Sequence, residues 1–474
     1  MTDSERSTQL AVIGAGPGGY AAAFLAADLG MSVTLIDSKP NPGGVCLYHG
    51  CIPSKALLHV ARVIGEAREA SRWGVTFSEP EIELDKLRSW KDGVVNKLTG
   101  GLGQLTKRRN IRFLQGRATI RDGHTLEVVL DSGKEQVRFE HAIVATGSNP
   151  AALPELPGDS PRFLDSKAAL QLEQVPERLL VVGGGYIGLE LGSVYAALKS
   201  RVTVVEMTPS ILPGVDGDLV RPLSKRLGGL LDNILVDTRV ARVEDRADRV
   251  QVVFEGKSVE NPEQEFDKVL VAVGRKPNSR NLGLESTRVE IDEHGFVQVD
   301  NQLRTAEPSI FAIGDIVGQP MLAHKASHEG RTAVEVIAGH RVVFEPRAIP
   351  AVVFTDPEIA WCGLTETEAK RSGRKAEVAR FPWAASGRAM TLERTDGMTK
   401  LLVDLETERL LGMGIVGSGA GELISEGVLA VEMEAAATDV KLSIHPHPTL
   451  SETVMEAADV FFGQSTHVYR PRRG

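Results

Sequence analysis

Short apolar runs alternate with helical patterns along the first two thirds of the chain. Residues 10–13 form an unbroken apolar run. A glycine-rich turn follows, then small and apolar residues at helical spacing, then a second β-branched run at 33–36. That order predicts strand, helix, strand. It returns at residues 179–206. LAVIGAGPGGYAAAFLAADLGMSVTLID (10–37) and LLVVGGGYIGLELGSVYAALKSRVTVVE (179–206) align without a gap at an offset of 169, and each ends in an acid. Two β-α-β units are predicted. Around them, residues 50–100 read as helical, with apolar positions recurring through ALLHVARVIGEAREA. Residues 110–150 alternate like strands and end in HAIVATGSNP. The proline-rich PAALPELPGDSP (150–161) reads as a linker. VLVAVGRKPN (269–278) closes the second unit, and IFAIGDIV (310–317) is a buried strand ending at Gly314-Asp315. From about residue 350 strands and helices continue without glycine fingerprints, as a third unit of roughly 125 residues.

Composition narrows the class. Charged residues at 25% and apolar ones at 42% are those of a folded globular protein. The 48 glycines exceed the usual share of about 7%, which suits tight strand-to-helix turns. Lys and Arg number 54 against 63 Asp and Glu, a net charge of −9. That balance argues against a nucleic-acid partner. No apolar stretch approaches the ~18–20 residues of a membrane span. MTDSERSTQL has no apolar core of a signal peptide. Three cysteines are too few for a disulfide framework. The expected compartment is the cytoplasm.

The fingerprint glycines divide their work. Gly14 and Gly183 permit the turn out of the strand. Gly16 and Gly185 let the backbone approach a pyrophosphate, and Gly19 and Gly188 let helix and strand pack closely. Asp37 and Glu206, each 18 residues past the last glycine, are expected to end the second strands and accept from ribose hydroxyls. One such fingerprint is weak evidence; two gapless copies with matched acids are strong.

Cys46 and Cys51 lie in GGVCLYHGCIPSKALL (43–58), directly after the first unit and before a helical pattern. A helix N-terminus lowers a thiol pKa. The spacing is not a zinc signature, because nothing completes four ligands. Taken alone, the pair fits a redox centre and two packed thiols equally. Beside two nucleotide sites the redox reading gains, since a flavin can take two electrons from a thiolate and pass on a hydride. Cys362 has no neighbour to pair with and reads as core.

GGVCLYHGCIPSKALL, GGGYIGLELG, FAIGDIV, MLAHKASHEG, FPWAASGRA and HPHPTLSE together resemble the two-dinucleotide-binding-domain disulfide oxidoreductases, from about residue 8 to about 463. The resemblance implies an α/β fold. Two Rossmann-like domains, the FAD domain interrupted by the NAD domain, precede a C-terminal α+β dimerisation domain. The implied boundaries are 1–149 for the first part of the FAD domain, with the redox disulfide, 150–277 for NAD, 278–349 for the return to FAD, and 350–474 for dimerisation. It implies that Gly14, Gly16, Gly19, Asp37, Lys55, Gly116, Gly147, Asp315, Met321, Leu322, Ala323 and His324 serve FAD. It places Gly183, Gly185, Tyr186, Ile187, Gly188, Glu206, Val240 and Gly274 at NAD. Lys55 and Glu190 would pair near the flavin ring, and Tyr186 would cover the nicotinamide face. His324 and His328, four apart, lack an accompanying acid pattern, and no metal is expected.

A thiol–disulfide enzyme needs a base at neutral pH. His447 is the candidate. Glu452 could orient it or merely cap a helix, since Thr449-Leu450-Ser451-Glu452 is also a capping box. His445 could be a surface residue. The resemblance implies that His447 of one subunit reaches the disulfide of the other in a homodimer. It also implies oxidation of dihydrolipoamide to lipoamide, with NAD as acceptor. The partner would be a lipoyl-bearing acyltransferase or a glycine-cleavage carrier. Glu206, with no Arg among Met207, Thr208, Pro209 and Ser210, favours NAD over NADP. Members that use a C-terminal cysteine pair find no match in HVYRPRRG. Reduction of a small disulfide such as glutathione, or a non-catalytic flavin-binding regulator, are the alternatives. The PRRG ending reads as a basic tail.

Overall fold

The computed structural model describes residues 6–153, 160–257 and 259–469. The middle of the expected linker, the first five residues and the PRRG ending lie outside the described residues.

The first half is built on the strand Arg6–Ile13. It pairs in parallel with Val33–Asp37 on one side and Gly133–Val144 on the other. Arg112–Asp122 and Ile310–Ala312 extend the sheet at either end. The outer halves of Arg112–Asp122 and Gly133–Val144 are bridged by Thr125–Leu130 in an antiparallel meander. Leu10, Ala11 and Val12 are fully buried, as parallel strands covered on both faces must be. On one face the helices Pro17–Asp28 and Ala323–Ile337 pack closely. A Cβ on Gly330 would meet the Gly18 carbonyl oxygen at 2.5 Å, so only a glycine pair allows this approach.

The second half repeats the plan. Arg178–Val182 lies between Arg201–Val205 and Lys268–Val271, with Asn233–Leu235 and Phe163–Leu164 outside, all parallel. The helix Tyr186–Ala197 is buried over its whole length from residue 188, as an all-round apolar helix should be. Its Leu189 and Tyr195 share a core with Leu57 and Ile64 of the helix Cys51–Glu69. Each such buried side chain contributes about 1.5–3 kcal/mol. The two halves are joined by a narrow ribbon, in which Ser148–Pro150 runs antiparallel to Arg275–Pro277.

The C-terminal unit is an antiparallel sheet ordered Ala351–Val353, Glu358–Gly363, Leu410–Gly417, Met398–Asp404, Ala376–Pro382. The helices Ala420–Glu432 and Glu452–Phe461 cover it. Cys362 is buried in that core, which pushes its thiol up to about 12. Among the described residues no helix is long and apolar enough to cross a membrane.

The pattern over 50–100 is not one helical stretch. Cys51–Glu69 ends through a short 3₁₀ turn at Gly74, whose φ of 83° only glycine adopts freely. The next helix, Leu84–Arg108, starts ten residues later. Three carboxylates, Asp216, Asp218 and Glu366, converge as metal ligands do. The Lys400 ammonium lies 2.7, 2.7 and 3.5 Å from them.

Candidate active site

In both fingerprints the acid folds back onto its own turn. Asp37 accepts the Ala15 N–H at 2.7 Å and the Lys39 N–H at 2.9 Å. Glu206 accepts the Gly184 N–H at 2.7 Å and the Thr208 N–H at 2.9 Å. The duplication therefore extends to single hydrogen bonds. Both acids fix the phosphate-facing loop, a role the spacing did not reveal. Each carboxylate retains lone pairs for a hydroxyl. Asp37 ends its strand, whereas Glu206 stands one residue beyond Arg201–Val205. Gly14 (φ 100°) and Gly183 (φ 109°) turn sharply against a neighbouring strand. A Cβ there would come within 2.3 Å of the Ala145 oxygen and 2.5 Å of the Ala272 oxygen.

Between the two turns opens a cavity of about 340 Å³. Gly14, Gly16, Asp37, Lys55, Gly147, Asp315, Met321 and Ala323 line it, with both cysteines. Tyr186, Ile187 and Glu190 reach it from the second unit. Other expected residues stand apart. Gly116 is inside a strand, one residue past the Asp37–Gln115 pair. Val240 lies in the antiparallel sheet of the second half. Gly19 and Gly188 pack under their turns. Leu322 precedes the helix Ala323–Ile337. His324 does not line the cavity, because its Nε2 is held by the Pro350 carbonyl at 2.7 Å.

The cysteines do not share one helix terminus. Cys46 lies inside the short helix Gly44–His49. Gly50 breaks the chain, and Cys51 is the first residue of Cys51–Glu69. Both are free thiols here. The Cys46 thiol hydrogen-bonds the Cys51 sulfur, which draws Cys51 down to about 7 against its burial; Lys55 adds to this. The same bond and burial push Cys46 up. Lys55, one turn after Cys51, pairs with buried Glu190 at 2.7 Å. Glu190 also accepts the Phe354 N–H at 3.0 Å, and the Lys55 ammonium stands 4.5 Å from the Phe354 ring centre. A cation is thus fixed near the sulfur whose thiol is drawn down.

His447 does not line this cavity. Its side chain is 77% exposed, with Nδ1 held by Glu452 at 2.9 Å. Of the two roles left open by the sequence Glu452 takes the first, orienting His447; its other oxygen accepts the Thr449 N–H at 2.8 Å, and no capping box forms. These two partners hold its carboxyl below the usual range despite the opposing effect of burial. The helix itself starts at Glu452, not at Thr449. His445 is not a surface residue. Its side chain is 7% exposed and gripped by Glu426 at 2.7 Å and the Ser443 carbonyl at 2.8 Å.

Among the cavity residues that sequence reasoning missed are Ser148, Arg275 and His49. Arg275 donates to the Ser148 hydroxyl at 2.7 Å, and Ser148 donates in turn to Asp315. His49 has an enclosed Nε2 without a hydrogen-bond partner, and burial followed by Lys39 and Lys167 takes its ring down to about 4. Position between the two cysteines was the available signal for His49.

The sequence pattern of pyridine nucleotide-disulphide oxidoreductases matches residues 8–330, and that of their dimerisation domain matches 349–458. The chain belongs to this family. It is 50% identical to the dihydrolipoyl dehydrogenase of Vibrio cholerae over 462 residues, 98% of this chain and 97% of the relative. Identity to the dihydrolipoyl dehydrogenase of Haemophilus influenzae is also 50%, covering 98% and 96%. Among solved structures, LpdA from Mycobacterium tuberculosis superposes with a TM-score of 0.89 at 27% identity, covering 96% of this chain and 99% of that one. The HOCl-induced flavoprotein disulfide reductase RclA from Escherichia coli gives 0.85 at 28%, covering 96% and 99%.

Membership makes the chain a flavoprotein disulfide oxidoreductase that works with FAD and NAD and carries a homodimer-forming domain. The residues fit both groups. A Cβ on Gly147 would meet nothing within 4 Å, and one on Gly16 only the Gly44 Cα at 3.9 Å. Both glycines open onto the cavity, a cradle for a dinucleotide backbone. Gly185 and Gly274 are as open in the second unit.

Proposed function

We propose that the chain oxidises dihydrolipoyl groups carried on a protein to lipoyl groups, with NAD as the final acceptor, in the cytoplasm. The observation that carries this reading is the convergence on one cavity of the first glycine cradle, the Cys46–Cys51 pair, Lys55–Glu190, and Tyr186 and Ile187 of the second fingerprint. The full-length likeness to proteins named dihydrolipoyl dehydrogenase supplies the substrate. Residues 1–149 and 278–349 form the flavin half, 150–277 the nicotinamide half and 350–474 the subunit contact.

In the oxidised enzyme Cys46 and Cys51 form a disulfide. His447 of the partner subunit takes a proton from a substrate thiol at Nε2, because Glu452 occupies Nδ1. The substrate thiolate attacks the Cys46 sulfur, and the Cys46–Cys51 bond breaks with Cys51 leaving as thiolate. Lys55 stabilises that charge. The second substrate thiol closes the lipoyl ring and releases Cys46; His447 hands its first proton to the departing Cys46 and takes the proton of that second thiol, leaving a Cys46 thiol, a Cys51 thiolate and a protonated His447. FAD, when bound, supplies the two-electron carrier between this dithiol and NAD. Dihydrolipoyl plus NAD⁺ thus becomes lipoyl plus NADH plus H⁺.

Anaerobic titration of the purified holoenzyme with dihydrolipoamide, followed by NAD, tests the reading. A long-wavelength absorption band that forms and then disappears as NADH appears is the expected result. A band with NADH but none with dihydrolipoamide would move the substrate to another disulfide.

A further inference from the structure

Behind Asp315, on the side away from the cavity, lies a second carboxylate that neither fingerprint explains. Glu329, on the helix Ala323–Ile337, is 2% exposed. Its Oε2 accepts the Gly314 N–H at 2.7 Å. Its Oε1 lies 2.6 Å from the ammonium of Lys325, one turn earlier and equally enclosed. Burial, joined by the Asp315 charge, pushes the Glu329 carboxyl up, while Lys325 and the Gly314 N–H oppose them.

Gly314 has φ 78°, so the chain reverses there in a left-handed conformation, and the next residue is Asp315. Asp315 faces the cavity, where it accepts from the Ser148 hydroxyl and lies 3.9 Å from the Arg275 guanidinium. One turn therefore carries two acids, Asp315 toward the cavity and Glu329 gripping the turn from behind. The support is rigid. A Cβ on Gly18 would strike the Ala326 oxygen at 2.8 Å. The helix bearing Glu329 is thus pressed against the helix whose N-terminus forms the first glycine turn.

We propose that Glu329, with Lys325 as its counter-charge, is the positioning residue for Asp315. By holding the Gly314 N–H it fixes the direction in which Asp315 offers its carboxylate to a hydroxyl of the bound flavin dinucleotide. The proposal rests on the placement of Asp315 at FAD. Lys325 only neutralises, since a buried carboxylate without a partner would be unstable.

The test compares two variants of equal charge, E329Q/K325M and E329A/K325M, each with Asp315 intact and with D315A. FAD release from the holoenzyme is followed by flavin fluorescence, together with the flavin absorption spectrum. Glutamine keeps the acceptor for Gly314, so E329Q/K325M is expected to hold FAD as the parent does. E329A/K325M should release it roughly tenfold more readily, the worth of a well-placed hydrogen bond. In the D315A background the two variants should differ less than twofold, because no acceptor remains to be positioned. An equal loss in both backgrounds overturns the proposal and leaves Asp315 at the flavin. So does a tenfold loss in E329Q/K325M, which keeps the acceptor and guards against failure of the alanine variant to fold. Unchanged FAD retention in D315A alone overturns the placement of Asp315 and the proposal with it.

Discussion

The Cys51 sulfur shows how far one residue's behaviour is set by its neighbours. Its thiol lies near 7 because Cys46 donates to it and the Lys55 ammonium stands nearby, against burial and the Glu190 charge. A cation stabilises the thiolate, so its removal must raise the pKa. In the reduced enzyme K55M is expected to move the thiolate midpoint upward by about one unit, read from the pH dependence of thiolate absorbance. An unchanged midpoint would mean that Cys46 alone sets it. On the imidazole side, H447Q should lower dihydrolipoamide turnover by about 10²–10⁴-fold, with reduction of the flavin by NADH unaffected in stopped flow. The cysteines at the cavity were legible in their local motif, and the Lys55–Glu190 pair only through the family resemblance. His49, Arg275 and Glu329 were not. Their meaning lies in which backbone groups stand opposite them, and that is a property of the folded turn.

The same division holds for elements. Both β-α-β units were readable, since apolar runs, glycine turns and terminal acids are local signals. The break at Gly50 between the two cysteine-bearing helices was not, because helical spacing continues across it. Nor was the clamping of the helix Gly217–Gly228 at both ends. Asp216 and Asp218 at its start grip Lys400 of the C-terminal sheet. Arg226 near its end meets Glu69 and Asp356, which Arg394 also joins at 3.2 Å from each. All but one of these pairs, Arg394–Asp356, span more than a hundred residues, and charge patterning along the chain cannot pair them. Removing Lys400 leaves buried Asp216 without a charge partner, so K400M should lower unfolding free energy by about 3–5 kcal/mol in a denaturant titration. Asp216 adds a pH signature. Burial opposes ionisation there, but Lys400 and Thr367 win and take it from 3.8 to about 2. A carboxyl depressed in the fold stabilises fully above its ordinary value and loses that contribution as pH falls toward 2. The D216N variant should therefore show a shallower loss of stability between about pH 4 and 2.

At the scale of the whole molecule, one chain keeps apart the groups that the proposed reaction brings together. Cys46 lines the cavity, and His447 stands exposed outside it. Near His447 the C-terminal unit leaves Ile444 97% exposed, with Leu429, Met433 and Leu442 also bare. Apolar side chains so placed on a family dimerisation domain are the natural cover for a second copy. No sequence pattern within one chain announces which cavity a base will serve, because the answer depends on the two-fold axis. Hybrid dimers decide it. A C46S subunit keeps its histidine, and an H447Q subunit keeps its cysteines. If each site takes its base from the partner, a hybrid has one site with Cys46 and His447 together and one with neither. Random exchange of equal amounts makes half of the dimers hybrids, so dihydrolipoamide turnover should return to about a quarter of the parent value. If each chain served its own site, every site in the hybrid would carry a defect and mixing would restore nothing. Turnover measured before and after dissociation and reassembly of the two inactive homodimers separates these outcomes without depending on how strongly either variant is impaired.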